Sequence, residues 1–271
     1  MQIDEEKHFY DTLHQHPEIQ LTFIENSSGN LIYGDYLGAF APGDVFVIGP
    51  NVPHVFRNDN SFYEDGGEEN ARAFTLFFDK KTFGEQFLEL PESVKLSQFI
   101  GMAERGMKLK SGDAQILIPL IRELFSTEGL NRLILLLQIL NYLSQDCDFE
   151  FLTNQLNVKS ISDDQGKRLD DIFKFTMQEY HRPIKLEEVA SIASLSPSAF
   201  CRYFKKHTRK TYLDFLNEYR IGQACKLLTV KDKPIAQVAF ESGFNNLSNF
   251  NRKFKSLTGL NPRRYQIDVK R

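Results

Sequence analysis

The feature that most constrains this chain is a pattern that occurs twice. Phe200-Cys201-Arg202-Tyr203-Phe204-Lys205-Lys206, then Thr208, corresponds to Phe250-Asn251-Arg252-Lys253-Phe254-Lys255-Ser256, then Thr258, at an offset of 50 residues. Upstream, Val189-Ala190 matches Val238-Ala239 at an offset of 49, so the odd residue falls in a turn, where insertions are tolerated. The second copy, Pro234 to Gln266, reads as two short helices joined by a tight turn. Pro234 suits the first turn of a helix, where its missing N–H costs nothing. Ile235, Val238 and Ala239 recur at helical spacing. Gly243 suits the left-handed end of that helix, and Asn245 or Asn246 suits the cap of the next. Phe250, Phe254 and Leu257, spaced i, i+4, i+7, form the expected inner face. Gly259 ends the helix and Pro262 prevents its resumption. This is the layout of a helix-turn-helix, whose second helix offers polar and cationic side chains to a DNA groove.

Charge divides the chain in the same sense. Residues 1–164 hold 12 Lys+Arg against 26 Asp+Glu, a net −14, whereas residues 165–271 hold 21 against 10, a net +11. A basic C-terminal half beside an acidic N-terminal half fits a polyanion-binding module joined to a different domain. At 271 residues, two domains are expected. No apolar run reaches transmembrane length, and the acidic start MQIDEEKHFY is unlike a basic signal peptide. Cys147, Cys201 and Cys225 form no CxxC, which argues against a disulfide framework or zinc finger and suits a reducing cytoplasm. No Ser/His/Asp, P-loop or GxGxxG pattern points to catalysis.

The segments LEEVASIASLSPSAFCRYFKK, IAQVAFESGF and NLSNFNRKFKSLTGLNPRRY resemble, in this order, the DNA-binding domain of the AraC/XylS family of bacterial transcription regulators. HQHPEIQLTFI followed by FAPGDVFVIGPNVPHVF resembles the cupin-type sensing domain of that family. The implied fold is α+β and multidomain. A cupin-like β-barrel spans about residues 8–80, with helices over about 80–158, inside a domain 1–160. Residues 161–167 are the expected linker, and 168–271 the all-helical domain with two helix-turn-helix units. Short strands between turn signals, such as Ile19–Ile24, Val45–Ile48 and Ala71–Phe78, point the same way. Helices are expected over Lys80–Leu90, Asp113–Ser126 and Leu130–Ser144. The last is apolar nearly all round, so it is either internal core or the seam of a homodimer. Arg168–His181 and Tyr212–Leu228 are further helices, and Leu186, Val189, Ala190 and Ile192 should face the first helix-turn-helix core.

On each second helix the aromatic residues face inward, so their neighbours face out. The resemblance places Ser198, Cys201 and Arg202, and Ser248, Asn249, Asn251 and Arg252, where the family reaches bases. Arg suits guanine, Asn suits adenine and Ser serves either. Lys205, Lys206, Lys253 and Lys255 are expected on phosphates, which set register and affinity. One departure stands out: Thr208-Arg209-Lys210-Thr211 replaces the Thr258-Gly259 ending, which puts a non-glycine at a left-handed helix end.

In the N-terminal half, His14, His16 and His54, with Glu18 nearby, form a constellation with three readings. They make structural hydrogen bonds at a barrel mouth, contact a small effector, or hold a divalent metal. Phe23, Tyr33, Tyr36, Phe46 and Phe56 are available to line a pocket. The function implied is that of a cytoplasmic transcription regulator, an activator by the family's usual direction. Its partners would be two major-groove segments of double-stranded DNA, an effector, RNA polymerase and a second copy of the chain, with no membrane. The alternative is a metal-dependent cupin enzyme with a DNA-tethering tail.

Overall fold

The computed structural model describes residues 1–64, 70–84, 86–145, 147–154, 161–230 and 233–269. They divide into two compact units, Met1–Ile161 and Ser162–Arg271. The first contains strands β1 (Gln2–Glu6), β2 (Ile19–Asn26), β3 (Gly29–Tyr33), β4 (Tyr36–Phe40), β5 (Val45–Ile48), β6 (His54–Asn58) and β7 (Ala71–Phe78). Helix α1 (Val94–Met102), β8 (Met107–Leu109), α2 (Ser111–Ser126), α3 (Gly129–Gln145) and β9 (Phe149–Phe151) follow.

The strands form two antiparallel sheets, ordered β1-β7-β2-β5-β8-β9 and β4-β3-β6. β2 shows why the sequence has only partial alternation: both of its faces are buried. Ile19, Leu21 and Phe23 join Leu117, Ile121, Ile139 and Leu140 of the helices in one core. Ile24, on the opposite face, joins Phe46, Phe56 and Leu31 in a second core that draws on both sheets. Register aligns Leu21 with Leu76 and Phe23 with Phe74, so like side chains meet across the ladder.

Among the described residues neither sheet closes into a barrel. The ladders end at β1 and β9 in one sheet and at β4 and β6 in the other, so the expected closure gives way to two sheets around a shared core. Among the described residues, Lys80–Leu90 forms no α-helix: Asp79 and Thr82 tie off a turn, and Phe87–Glu89 makes a 3₁₀ turn. In the turn, the Asp79 carboxylate accepts from the Lys81 N–H at 2.9 Å, a local bond that competes with helix formation. β1, β8 and β9 lie outside the expected strand set. Part of the helical range assigned to 80–158 falls on residues 155–158, outside the described residues.

The second unit is all helical: α4 (Asp163–Glu179), α5 (Leu186–Ile192), α6 (Pro197–Thr208), α7 (Tyr212–Val230), α8 (Ile235–Glu241), α9 (Leu247–Thr258) and α10 (Pro262–Val269). The linker expected over 161–167 is mostly the first turn of α4. Ser162-x-x-Gln165 has the capping-box spacing, and the Ser162 N–H donates to Gln165 Oε1 at 3.3 Å, which starts the helix early. Among the described residues, no helix is long and apolar enough to cross a membrane.

Candidate nucleic-acid interface

The two helix-turn-helix units are built by the same devices. In the first, Leu195 N–H donates to Ala190 O at 2.9 Å; in the second, Phe244 N–H donates to Ala239 O at 2.9 Å. The Ser196 side chain then caps α6 by accepting from Ala199 N–H at 3.4 Å, and Asn246 caps α9 by accepting from Asn249 N–H at 3.0 Å. These caps are 50 residues apart whereas the turns are 49 apart, so the inserted residue is Asn245, just ahead of the cap.

At the far ends, Thr208 Oγ1 donates to Phe204 O and Thr258 Oγ1 to Phe254 O, both at 2.8 Å. The aromatic cores repeat as well. Phe200–Phe204 and Phe250–Phe254 ring centroids lie 5.7 and 5.5 Å apart. Phe204 meets Phe215 at 5.5 Å, as Phe254 meets Tyr265 at 5.4 Å. Removing one such buried ring costs about 3–5 kcal/mol, so these rings fix which helix face is left outside.

Ser198, Cys201, Arg202, Lys205 and Lys206 are all exposed on α6, and Ser248, Asn249, Asn251, Arg252 and Lys255 on α9. Arg252 Nη2 donates to Asn249 Oδ1 at 2.9 Å, one turn back, which holds the guanidinium against the same face. Lys253 is turned aside: half-buried, it pairs with Asp214 Oδ1 of α7 at 3.2 Å, so its charge is engaged within the fold. Thr211 Oγ1 steadies that aspartate at 2.7 Å, and these contacts lower its pKa, the Thr211 bond first.

Two residues expected in the cores are not there: Ile192 and Leu257 are 42% and 45% exposed. Each sits at the end of a short helix, where the stripe has already rotated off the core. Sequence reasoning also missed the braces behind the face. Tyr203 OH donates to Gln165 O at 2.8 Å, with Arg168 over its ring at 5.4 Å, and this ties α6 to α4.

The histidines of the first unit do come together. Residues 14 and 54 form a β-bridge, and the possible ligand atoms of His14, His16 and His54 lie within 4.8 Å of one another. Each Nδ1 donates to a main-chain carbonyl: His14 to Thr12 at 2.8 Å, His16 to Glu18 at 3.1 Å and His54 to Val52 at 2.7 Å. Of the three, the buried His54 Nε2 has no hydrogen-bond partner, whereas His16 Nε2 lies 2.9 Å from Gln20 Oε1. Burial pushes the His54 pKa down to about 3, and His14 and then His16 push the same way, against the Val52 carbonyl.

A set of three imidazoles is a donor set that suits a first-row divalent ion. Glu18 does not complete that set: its Oε2 lies 3.5 Å from Nδ1 of His16, the wrong side of the ring. Gln20 sits instead 2.9 Å from His16 Nε2 and continues a polar chain to Thr22 at 2.7 Å, then to Thr75 at 3.3 Å and Asp4 at 3.2 Å. These groups line a pocket of about 180 Å³ with His14, Phe9, Tyr10, Phe56 and Phe77. Of the five aromatics expected there, Phe56 lines it; Phe23 faces the helices, and Tyr33 is committed to Glu104 O at 2.8 Å.

Residues 189–267 match the family model described as a helix-turn-helix domain. Over nearly the whole length, the chain is 25% identical to a probable transcriptional regulator, LumQ, of Photobacterium leiognathi, a match covering 95% of this chain and 92% of that one. The C-terminal part of the chain is thus similar to the helix-turn-helix domains of transcriptional regulators. An uncharacterized HTH-type transcriptional regulator of Bacillus subtilis, YdeC, is 32% identical over 102 residues, which is 38% of this chain but only about a third, 35%, of the Bacillus protein. The solved DNA-binding domain of AdpA, in complex with a target DNA, is 25% identical and covers 38% of this chain and 93% of its own, with a TM-score of 0.37.

Proposed function

We propose that this chain is a sequence-specific, DNA-binding transcription regulator that reads two neighbouring major-groove segments, one with α6 and one with α9. The observation that carries the reading is the duplicated unit: two capped helices, each with buried phenylalanines and an exposed face of Arg, Lys and Ser, joined on α9 by Asn. In this reading Ser198, Cys201, Arg202, Ser248, Asn249, Asn251 and Arg252 meet bases, and Lys205, Lys206 and Lys255 meet phosphates. Lys253 contributes by positioning. The regulator acts in the cytoplasm as an activator, and RNA polymerase is its further partner. The domain division is a sensing domain over residues 1–160 and a DNA-binding domain that begins with α4.

The first unit is cupin-like in this reading and carries control. Its pocket is the place for an effector, with His14, His16 and His54 at or near the wall; a ligand favouring one arrangement of the protein shifts the population that can hold DNA. Dimerisation is supported by α3, whose Leu130, Leu133 and Ile134 are 71%, 41% and 45% exposed at i, i+3, i+4 spacing. Asn131, Gln138 and Asn141, also exposed on α3, are uncharged, so two copies could meet there without like-charge repulsion.

The enzyme alternative keeps one favouring observation, the histidine cluster, and none of the relatives named above is described as an enzyme. Metal content of the purified protein, with and without His54→Gln, separates the two. The regulator reading itself is tested by selecting sites from a random DNA library with the full chain and measuring binding across salt. Recovery of a site with two enriched blocks supports it; salt-sensitive binding with no enriched sequence refutes base reading.

A further inference from the structure

The two halves of the helical unit meet at one arginine. Arg220, on α7, donates from Nε to Tyr180 O at 2.8 Å and from Nη2 to Arg182 O at 2.7 Å. Both carbonyls lie just past the end of α4, in the half that carries α6. The same guanidinium lies 5.8 Å from the ring of Phe244, in the turn between α8 and α9. The neighbouring Gly243 has φ +84°, and a Cβ there would fall 2.2 Å from Tyr180 O and 2.7 Å from Arg220 Nε.

The turn of the second helix-turn-helix therefore seats directly on the corner of the first half. Burial lowers the Arg220 pKa, yet a guanidinium stays cationic, and its rigid fork matches two carbonyls in a way a lysine does not. The corner it grips is itself held, because Arg182 pairs with Glu179 and Glu188, both at 2.5 Å. A long helix such as α7 fixes an axis but not the rotation of what packs at its far end. A two-pronged donor across the junction fixes that rotation. The other tie, Lys253–Asp214, is more exposed and is worth at most about 1 kcal/mol.

We infer that Arg220, seated against Gly243 and Phe244, is a positioning residue for DNA recognition: it sets the separation and tilt of α6 and α9, and through them the spacing between the two blocks of bases. This rests on the two-block reading proposed above. Arg220 touches no DNA in this scheme: it is half-buried at the junction, with Nε and Nη2 turned to Tyr180 O and Arg182 O.

The test compares the full-length wild type, Arg220→Lys and Arg220→Met on duplexes in which the gap between the selected blocks is varied base pair by base pair, across a salt series. The wild type should show one sharp optimum. Both variants should lose about tenfold on the optimal site, or about 1.4 kcal/mol, and bind neighbouring spacings nearly as well. Their salt slope should be unchanged, because no phosphate contact is lost. The lysine variant keeps charge and stem, so it addresses the question even if the methionine variant does not fold. An unchanged spacing profile in a folded variant overturns the inference. So does a slope reduced by about one with the profile intact, which would make Arg220 a phosphate contact. A wild type with no two-block preference removes the reading beneath it, and the inference falls too.

Discussion

In the first helix-turn-helix the residue that turns the corner is Ser194, at φ +53°; in the second it is Gly243, at φ +84°. At the helix ends the contrast recurs, with Arg209 at φ +61° and Gly259 at φ +77°. A positive φ alone does not demand glycine, since an L residue tolerates the left-handed region at about 1–2 kcal/mol. What separates Gly243 from the other three is the Tyr180 carbonyl and the Arg220 side chain pressed against the place of its missing Cβ. Gly259 has nothing within 4 Å of that place. The second unit is thus pinned to the rest of the domain at its turn.

The largest test of that contrast is Gly243→Ala. Clash adds to backbone strain, so it should destabilise the helical unit by about 3 kcal/mol or more, read from urea unfolding of the full chain. A loss near 1 kcal/mol would mean that the junction yields and the pinning is weak. Next come the exposed arginines. Arg202→Ala and Arg252→Ala should each cost about 1–3 kcal/mol in affinity and relax base preference in different blocks of the selected site. Relaxation of the same block by both would show that the two helices do not read separately.

Gly259→Ala isolates backbone strain without clash and should cost about 1 kcal/mol of stability. If it matches Gly243→Ala, packing is not what distinguishes the two glycines. The smallest effect is expected of Ser194→Gly, within about 0.5 kcal/mol of zero, because relieved strain is offset by the entropy of glycine in the unfolded chain. Thermal melts of the purified protein check both.

Much of this was legible because the signals are local. The offset repeat locates the four paired helices, Gly243 and Gly259 mark left-handed positions, and Val45–Ile48 and Ala71–Phe78 are bounded by turn residues and by a change of composition. The missed elements lack such signals. β8 and β9 are three residues each, and β1 is a charged edge strand, QIDEE. The early start of α4 hid inside a polar run that reads equally as a linker. In the candidate site, the exposed faces of α6 and α9 follow from the spacing of Phe200, Phe204, Phe250 and Phe254. Lys253 has the same spacing and the same chemistry as a phosphate ligand, and only the approach of Asp214, 39 residues away, turns it aside. Arg220 is still less visible, because it is held by the main-chain oxygens of Tyr180 and Arg182, 40 and 38 residues away. Carbonyls carry no residue type, so no motif announces them.

The most direct measurement is hydroxyl-radical footprinting of the full chain on its selected site, repeated with Arg252→Ala. Two recognition helices working from one chain predict two protected patches on one face of the duplex, about 34 Å apart, with the variant weakening one patch first. A single patch, or two that fade together, would contradict the claim that each helix-turn-helix reads its own segment.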